Sequence, residues 1–256
     1  MPTLLEEHRR SNLTFVADQG QTELIRFDQL RRVREPVSRS KSGVQGKVAD
    51  VLHGRSRHAE SQNELRAFQI LMATALADSW QEQPFILEYR HEEAKRRYTP
   101  DILVMWGSHR EVVEIKEDKE AESPEHHSRF TLIKELLSEH GYHFRLWRKS
   151  EIYAEPRFTN SNLVLRYRCV AVPAAERERL RRAFASKPES DLRTLCETSG
   201  TSVQNVLRLV FDGTFHIDWW KPLSLDSKVG VAPIGRQTWP CPPGLLQQFS
   251  EEAGCR

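Results

Sequence analysis

Two short apolar segments, separated by residues that favour a turn, constrain the fold of this chain more than any other feature. The segments are Ile102 to Trp106 and Val112 to Lys116, and Gly107 and Ser108 follow the first of them. Apolar runs of this length around Gly and Ser are typical of neighbouring antiparallel strands. The pattern predicts a β-hairpin within an α/β domain.

Charged side chains lie at the ends of both predicted strands. Asp101 directly precedes the first strand, and Glu114 and Lys116 close the second on either side of Ile115. Because successive strand residues point to opposite faces, Glu114 and Lys116 share a face. Side by side, the two carboxylates can share a magnesium ion, with the backbone carbonyl of Ile115 as a third ligand. The Lys116 ammonium can orient an attacking water, an arrangement that phosphodiester hydrolysis can use. Taken singly, each of these residues is more often only a surface charge at a strand end.

A predicted helix upstream of the hairpin supplies another carboxylate. Apolar residues recur at helical spacing from about His58 to Trp80, and Glu64 lies one turn before Phe68 near the start of that helix. An acidic residue at a helix start usually only stabilises the helix dipole. Because Glu64 adjoins the buried stripe of the helix, holding a second ion or completing the first ion's ligand shell is the other interpretation.

The charge distribution and the cysteines limit the functions open to the chain. Its 256 residues carry a formal net charge of +2, and residues 58–150 contain seventeen Asp and Glu against thirteen Lys and Arg. This acidic middle suits a cation site better than a phosphate-binding surface, so DNA affinity is expected from the flanks or from partners. No apolar stretch is long enough to span a membrane, and the 4 scattered cysteines indicate reduced thiols in the cytoplasm.

The segment 38–57 precedes the predicted helix and is strongly basic. It carries five Lys and Arg residues against Asp50 alone, interleaved with Ser and Gly. Two interpretations remain open, a flexible loop that follows a DNA backbone and a solvated linker. On the first interpretation, the DNA contacts are Arg39, Lys41, Lys47, Arg55 and Arg57.

The order of patterns from residue 58 is helix, three strands, helix and strand, which predicts a mixed α/β core with a crossover to its last strand. After the long helix we expect a strand at 84–92, a charged turn that includes residues 92–97, the hairpin, a mobile acidic loop at 117–125, a helix at 124–140 and a strand at 142–152.

The C-terminal part is predicted to be a smaller, mainly helical domain of the winged-helix type. Two short helices flank Gly200, and residues 214–219 resemble the strand of a wing. Either the second helix recognises DNA through Ser202, Gln204, Asn205 and Arg208, or the domain docks on a protein. We predict an N-terminal arm (1–37), a catalytic domain (38–152), this winged-helix-like domain (153–225) and an extended tail (226–256).

The motifs together resemble a known class of nucleases. A Pro-Asp that opens one apolar strand and a Glu-x-Lys that closes the next resemble the PD-(D/E)xK nuclease superfamily. From Ser38 to Ile152 the chain further resembles the N-terminal catalytic domain of the TnsA-type endonucleases of heteromeric transposases. The motifs that carry this resemblance are Gly54-Arg55, Glu60-Ser61-x-x-Glu64, Gln83-Pro84-Phe85, Tyr98-Thr99-Pro100-Asp101 and Val113-Glu114-Ile115-Lys116.

The resemblance implies a restriction-endonuclease-like core, with helices around a mixed sheet, that cuts one DNA strand at each transposon end. It places catalytic roles on Glu64, Asp101 and Lys116, while Glu114 stands where the family has an acid or an amide. The expected cofactor is Mg²⁺, with Mn²⁺ as a substitute, and the expected ligands are Glu64, Asp101, Glu114 and the Ile115 carbonyl.

The resemblance also implies partners and a location. The partners are transposon-end DNA, a DDE transposase subunit that cuts the other strand, and an AAA-type ATPase regulator. The expected location is the bacterial cytoplasm, at the nucleoid during the reaction. Two other functions remain open: a stand-alone restriction or repair nuclease, and a catalytically idle module that bridges transposase and regulator.

Overall fold

The chain folds into two units in a computed structural model that describes residues 23–25, 46–74, 79–91, 94–106, 109–185 and 187–234. Of these, residues 23–25, 46–71 and 79–154 form the first unit, and residues 72–74 and 155–234 group in the second. The elements of the first unit are, in chain order, β1 (Glu23–Ile25), β2 (Gly46–Asp50), β3 (Arg55–Ala59), α1 (Gln62–Thr74), β4 (Ser79–Glu82), β5 (Ile86–His91), β6 (Ala94–Tyr98), β7 (Ile102–Trp106), β8 (His109–Lys116), α2 (Asp118–Ala121), α3 (Pro124–Ser138), β9 (His143–Arg148) and α4 (Lys149–Ile152).

A four-stranded mixed sheet in the order β4-β7-β8-β9 forms the centre of this unit. β7 pairs antiparallel with β8, with Trp106 opposite His109, so the predicted hairpin is confirmed; Gly107 and Ser108 lie outside the described residues. β8 pairs parallel with β9, and α2 and α3 supply the crossover that parallel strands require. This multi-strand mixed sheet with its helices fits a nuclease-like core.

The apolar runs form strands because both faces of the central sheet are covered. Leu103, Met105 and Val112 are fully buried in one hydrophobic cluster, which also contains Ile133 and Leu137 of α3. The cluster continues into the antiparallel sheet β1-β5-β6 through Leu87, Tyr89 and Tyr98, and it includes Phe85 just before β5, so α3 packs over residues of both sheets. A strand buried on both sides is expected to be a continuous apolar run, as β7 is.

The long helix predicted from His58 to Trp80 was wrong at both ends. His58 lies in β3, and Trp80 lies in β4, where it pairs with Val104 of β7. The Trp80 ring packs on Phe68 of α1, with ring centroids 5.2 Å apart. Trp80 therefore shares the buried environment of the helix without being part of it, and its position mimicked helical spacing.

Three segments predicted as irregular contain regular structure. Lys95, Arg96 and Arg97 lie in β6, where each pairs with a residue of β5, and not in a charged turn. The acidic loop at 117–125 contains helix α2, with the Asp118 carboxylate accepting a hydrogen bond from the Ser150 hydroxyl. Within the basic segment, β2 and β3 pair as an antiparallel hairpin, so residues 46–59 are neither a flexible loop nor a linker.

The second unit contains α5 (Arg157–Leu165), α6 (Ala174–Ala183), β10 (Glu189–Asp191), α7 (Leu192–Ser199), α8 (Val203–Phe211), β11 (His216–Ile217) and β12 (Lys228–Gly230). Its three strands form an antiparallel sheet in the order β10-β12-β11. An extended tail was predicted from residue 226, but residues 228–230 form β12, so that prediction was wrong for β12. None of the described helices is both long and apolar enough to cross a bilayer.

Candidate active site

Asp101 directly precedes β7, and hydrogen bonds fix it to two neighbouring segments. Its carboxylate accepts a hydrogen bond from the Ile115 N–H of β8 at 2.7 Å. Its backbone carbonyl accepts one at 2.9 Å from the N–H of Gln83, which follows β4 with a positive φ of 41°. The first of these bonds directs the Asp101 side chain towards the end of β8 that carries Glu114 and Lys116.

Glu114 is 6% exposed, and each of its carboxylate oxygens has a partner. Oε1 lies 2.8 Å from the Lys116 ammonium, as the shared face of β8 predicts, and Oε2 accepts a 2.9 Å hydrogen bond from the Tyr98 hydroxyl. Tyr98 is the last residue of β6, so this bond joins the second sheet to the central one. Glu114 therefore lies between a cation and a buried phenol.

Glu64 lies in the first turn of α1, where it stabilises the start of its own helix. Its carboxylate accepts hydrogen bonds of 2.9 Å from the Ser61 hydroxyl and the Glu60 N–H, and its own N–H donates to the Ser61 oxygen at 3.1 Å. The Ser61 oxygen therefore caps the helix start, and the Glu64 carboxylate holds the residue that precedes the cap. The catalytic and metal-binding roles of Glu64 stay predictions; after burial and Glu114, its charge is a further cause that raises the pKa of Asp101.

Glu114 and Glu64 lie close enough to Asp101 to affect its ionisation. Burial raises the pKa of Asp101 well above its ordinary value, and the charges of Glu114 and Glu64 raise it further. Burial opposes the charged form of Lys116, but Glu114, Asp101 and Glu120 together outweigh it, and the pKa of Lys116 is raised. Burial and the charges of Glu114 and Asp101 raise the pKa of the Tyr98 phenol, so its hydroxyl stays a donor at neutral pH.

The chemistry of these residues suits a hard divalent cation. Carboxylate and carbonyl oxygens are the ligands that Mg²⁺ prefers, and a buried carboxylate whose pKa is raised by other carboxylates lies where positive charge is favourable. Among the described residues, however, no three His, Cys, Asp or Glu side chains converge as a ligand cluster. The fit therefore rests on Asp101 and Glu114, with the Ile115 carbonyl, and not on a preformed set that includes Glu64.

The residues predicted to contact DNA are not equivalent in the structure. Arg39 and Lys41 lie outside the described residues, and Lys47 is exposed on β2. Arg57 is only 2% exposed, and its guanidinium bonds to the buried carboxylates of Asp50 and Glu82. Arg55 also bonds to Glu82, at 3.0 Å. Arg57 is thus part of the protein interior, and a DNA contact is not the role its surroundings indicate.

Tyr98 is the site residue whose function sequence reasoning missed. Its position in the Tyr-Thr-Pro-Asp motif was a signal, since it lies three residues before Asp101. What the sequence does not show is the bond to Glu114, which is 16 positions away and on a different strand.

A mixed sheet that presents Asp101, Glu114 and Lys116 at the adjoining ends of two strands is consistent with the PD-(D/E)xK class of nucleases. Residues 77–148 match the family described as "TnsA-like endonuclease N terminal". The resemblance to TnsA-like endonucleases is therefore confirmed over this range, and it supports a nuclease domain. The match includes the three strand residues and excludes Glu64, and it covers less than a third of the chain. No curated protein matches the chain.

Replacing Tyr98 by Phe is expected to lower metal affinity or DNA cleavage by about 10- to 100-fold, the usual cost of losing a residue that orients a metal ligand. The substitution keeps the buried ring but removes the donor to Glu114 Oε2. Metal titration by calorimetry and single-turnover cleavage would measure the effect. The matched control is Tyr142→Phe, which removes a hydroxyl from the same buried cluster. Equal effects of the two substitutions would contradict a positioning role for Tyr98.

Proposed function

We propose that this protein is a Mg²⁺-dependent DNA endonuclease subunit of a transposase, which cuts one strand at each transposon end. The observation that carries the proposal is the grouping of Asp101, Glu114 and Lys116 at adjacent strand ends, inside the segment that matches TnsA-like endonucleases. The carboxylates disfavour an anionic substrate until a cation is present, which is the electrostatic arrangement expected of metal-dependent phosphodiester hydrolysis.

Each residue of the site has a role that its contacts support. Asp101 and Glu114, with the Ile115 carbonyl, would hold the ion, and Glu64 contributes negative charge and is the candidate for a further ligand. When bound, Mg²⁺ polarises the phosphoryl oxygen and lowers the pKa of a coordinated water. The Lys116 ammonium, already 2.8 Å from Glu114, orients the water and offsets negative charge on the phosphate in the transition state. Mn²⁺ is the expected substitute for Mg²⁺.

The proposed substrate is transposon-end DNA, and the proposed partners are a DDE transposase subunit and an AAA-type ATPase regulator. The resemblance to TnsA-like endonucleases supports the first partner directly, since in such systems the other strand is cut by the transposase.

For the second unit we propose a winged helix that docks on a protein. Its element order α6-β10-α7-α8-β11-β12 and sheet order β10-β12-β11 support that fold. Two of the side chains considered for DNA recognition are engaged within the unit, because Asn205 donates to Glu176 at 2.6 Å and Arg208 to Asp212 at 2.9 Å. A third, Ser202, caps α8. These contacts favour protein docking over base recognition.

A reconstituted cleavage reaction tests the proposal. The purified protein is combined with its transposase, Mg²⁺ and a supercoiled plasmid that carries the transposon ends, and the cut strand is mapped by primer extension. We expect one nick at each end, lost on chelation and restored by Mg²⁺ or Mn²⁺. Cutting of plasmid DNA by this chain alone would instead indicate a stand-alone nuclease. A transposase that cuts both strands without this chain would leave it only an assembly role.

A further inference from the structure

A groove with a volume of about 830 Å³ lies between β6 and α3. Its walls carry Lys95, Arg96 and Arg97 from β6 and Arg129 from α3. Among the described residues that line it, Glu125 is the only acid. The described lining of the groove is therefore mainly basic, although residues 58–150 as a whole carry more acidic than basic side chains.

Most of this charge is available to a ligand. Arg97 of β6 forms an ion pair with Glu88 of β5, and the Arg97 side chain is 75% exposed. For Lys95, Arg96 and Arg129, by contrast, no carboxylate partner is found within the described part of the chain. Such solvated cations lose little on exchanging water for phosphate oxygens, because no existing ion pair has to be broken.

The groove is held by secondary structure and not by loops. β6 pairs with β5 along its whole length, and Arg96 lies opposite the buried Tyr89, which forms part of the groove floor. The guanidinium of Arg129 lies 5.9 Å from the centre of the Tyr98 ring. Regular secondary structure therefore sets the backbone positions from which these cations extend on both walls.

Tyr98 connects the groove to the carboxylates. Its ring contacts Arg129 on the groove side, and its hydroxyl bonds to Glu114 in the candidate active site. Asp101 follows three residues later in the chain. At about 3.3 Å per extended residue, Lys95 and Asp101 are at most roughly 20 Å apart, a distance spanned by about six nucleotides of one strand.

We propose that this groove binds the phosphate backbone of the DNA on one side of the cleavage point and leads it to Asp101 and Glu114. That the DNA runs towards Asp101 and Glu114 rests on the proposed function, whereas DNA binding by the groove does not. Carboxylates near the scissile phosphate repel the rest of the backbone, so a row of cations beside them is required to hold it. Arg and Lys side chains at fixed spacing suit phosphate oxygens, whatever the base sequence.

The test is the salt dependence of DNA binding by the full-length protein. The variant Lys95→Gln/Arg96→Gln/Arg129→Gln is compared with the control Arg181→Gln/Arg182→Gln/Lys187→Gln, which removes the same charge from exposed positions of the second unit. Both sets are made in an Asp101→Asn background, so that DNA remains intact, and thermal unfolding checks that they fold. The probe is a fluorescent duplex of random sequence, with affinity measured between about 50 and 200 mM salt.

We expect the groove variant to bind at least tenfold more weakly at the low end of that range. The slope of log affinity against log salt should also become shallower by about 0.9 for each phosphate that the variant no longer neutralises, a change of up to ~2.7. The control should keep its slope. Equal slopes for the two variants would overturn the proposal, as would unchanged DNA affinity with weakened binding of the transposase, which would assign the groove to a protein.

The experiment separates this proposal from the proposed function. If the wild-type protein fails to nick transposon ends under the reconstituted conditions, the endonuclease assignment fails while a groove-dependent salt slope still establishes DNA binding. If nicking occurs and the salt slope does not depend on the groove, the endonuclease assignment is retained and the groove is excluded as a DNA-binding surface.

Discussion

Asp101→Asn is expected to lower the rate of strand cleavage by at least about a thousandfold, because a bound metal ion is worth several kcal/mol of transition-state stabilisation. The amide keeps the shape of the side chain and an oxygen that can accept the Ile115 N–H, whose bond to Asp101 is 2.7 Å long. The substitution removes the negative charge that holds a divalent cation. Single-turnover cleavage of an end-containing duplex would measure the change.

The same substitution is expected to make the metal-free protein more stable. Burial and the charges of Glu114 and Glu64 raise the pKa of Asp101 in the folded state. The unfolded chain therefore releases this proton first, near pH 4, and the folded state is progressively disfavoured as pH rises from there through the raised pKa. Asn carries no charge and removes that penalty. Thermal unfolding in chelator should give a higher Tm for Asp101→Asn than for wild type at neutral pH, and the difference should shrink in acid.

Asp191→Asn is the matched control. Asp191 is the N-cap of α7, and the hydrogen bond from the Thr194 N–H lowers its pKa, so its stabilising effect is present at neutral pH and is lost in acid. This variant should cut DNA like wild type and should not gain stability. Cleavage by Asp101→Asn at the wild-type rate would exclude Asp101 from catalysis. A fall in its metal-free Tm would show that the carboxylate serves structure instead.

Local patterns were sufficient to predict the hairpin and its charged ends. Alternation within one strand fixes the shared face of Glu114 and Lys116, and a continuous apolar run fixes β7, because both signals depend only on neighbouring residues. The crossover to β9 was predictable for a similar reason, since a helix between two apolar strands favours parallel pairing. These are the elements that carry most of the candidate active site.

Contacts between distant segments were not predictable in this way. The bond of Tyr98 to Glu114 depends on how the two sheets meet, and the position of Trp80 depends on its packing against Phe68. Charge counting along the chain also failed to reveal the basic groove, because it added Lys95 and Arg129 to all the carboxylates of residues 58–150, of which only Glu125 is among the described residues that line the groove. Strand pairing and helix packing bring together charged side chains that are far apart in the sequence and separate others that are close in it.

Arg57→Met is expected to lower the free energy of unfolding by about 3–5 kcal/mol, the usual cost of removing one partner from a buried ion pair. The Arg57 guanidinium lies 2.7 Å from Asp50, 2.8 Å from Glu82 and 3.9 Å above the Trp80 ring. Asp50 and Glu82 are 2% and 5% exposed, so without Arg57 their charges remain in the interior. A drop in Tm of roughly 10 °C is expected from a destabilisation of this size, measured at neutral pH by calorimetry.

Two comparisons separate buried charge from reduced packing. Arg181→Met removes an arginine whose partner Glu178 is exposed, and such a pair contributes little to stability. The triple variant Asp50→Leu/Arg57→Met/Glu82→Leu removes the three most buried charges and should recover part of the stability, because only the more exposed side chains of Arg55 and His53 then lose a partner. If Arg57→Met instead kept the wild-type unfolding free energy and weakened DNA binding, the side chain would have to leave this network on binding. The β2–β3 hairpin would then be a DNA contact and not a structural support of β4.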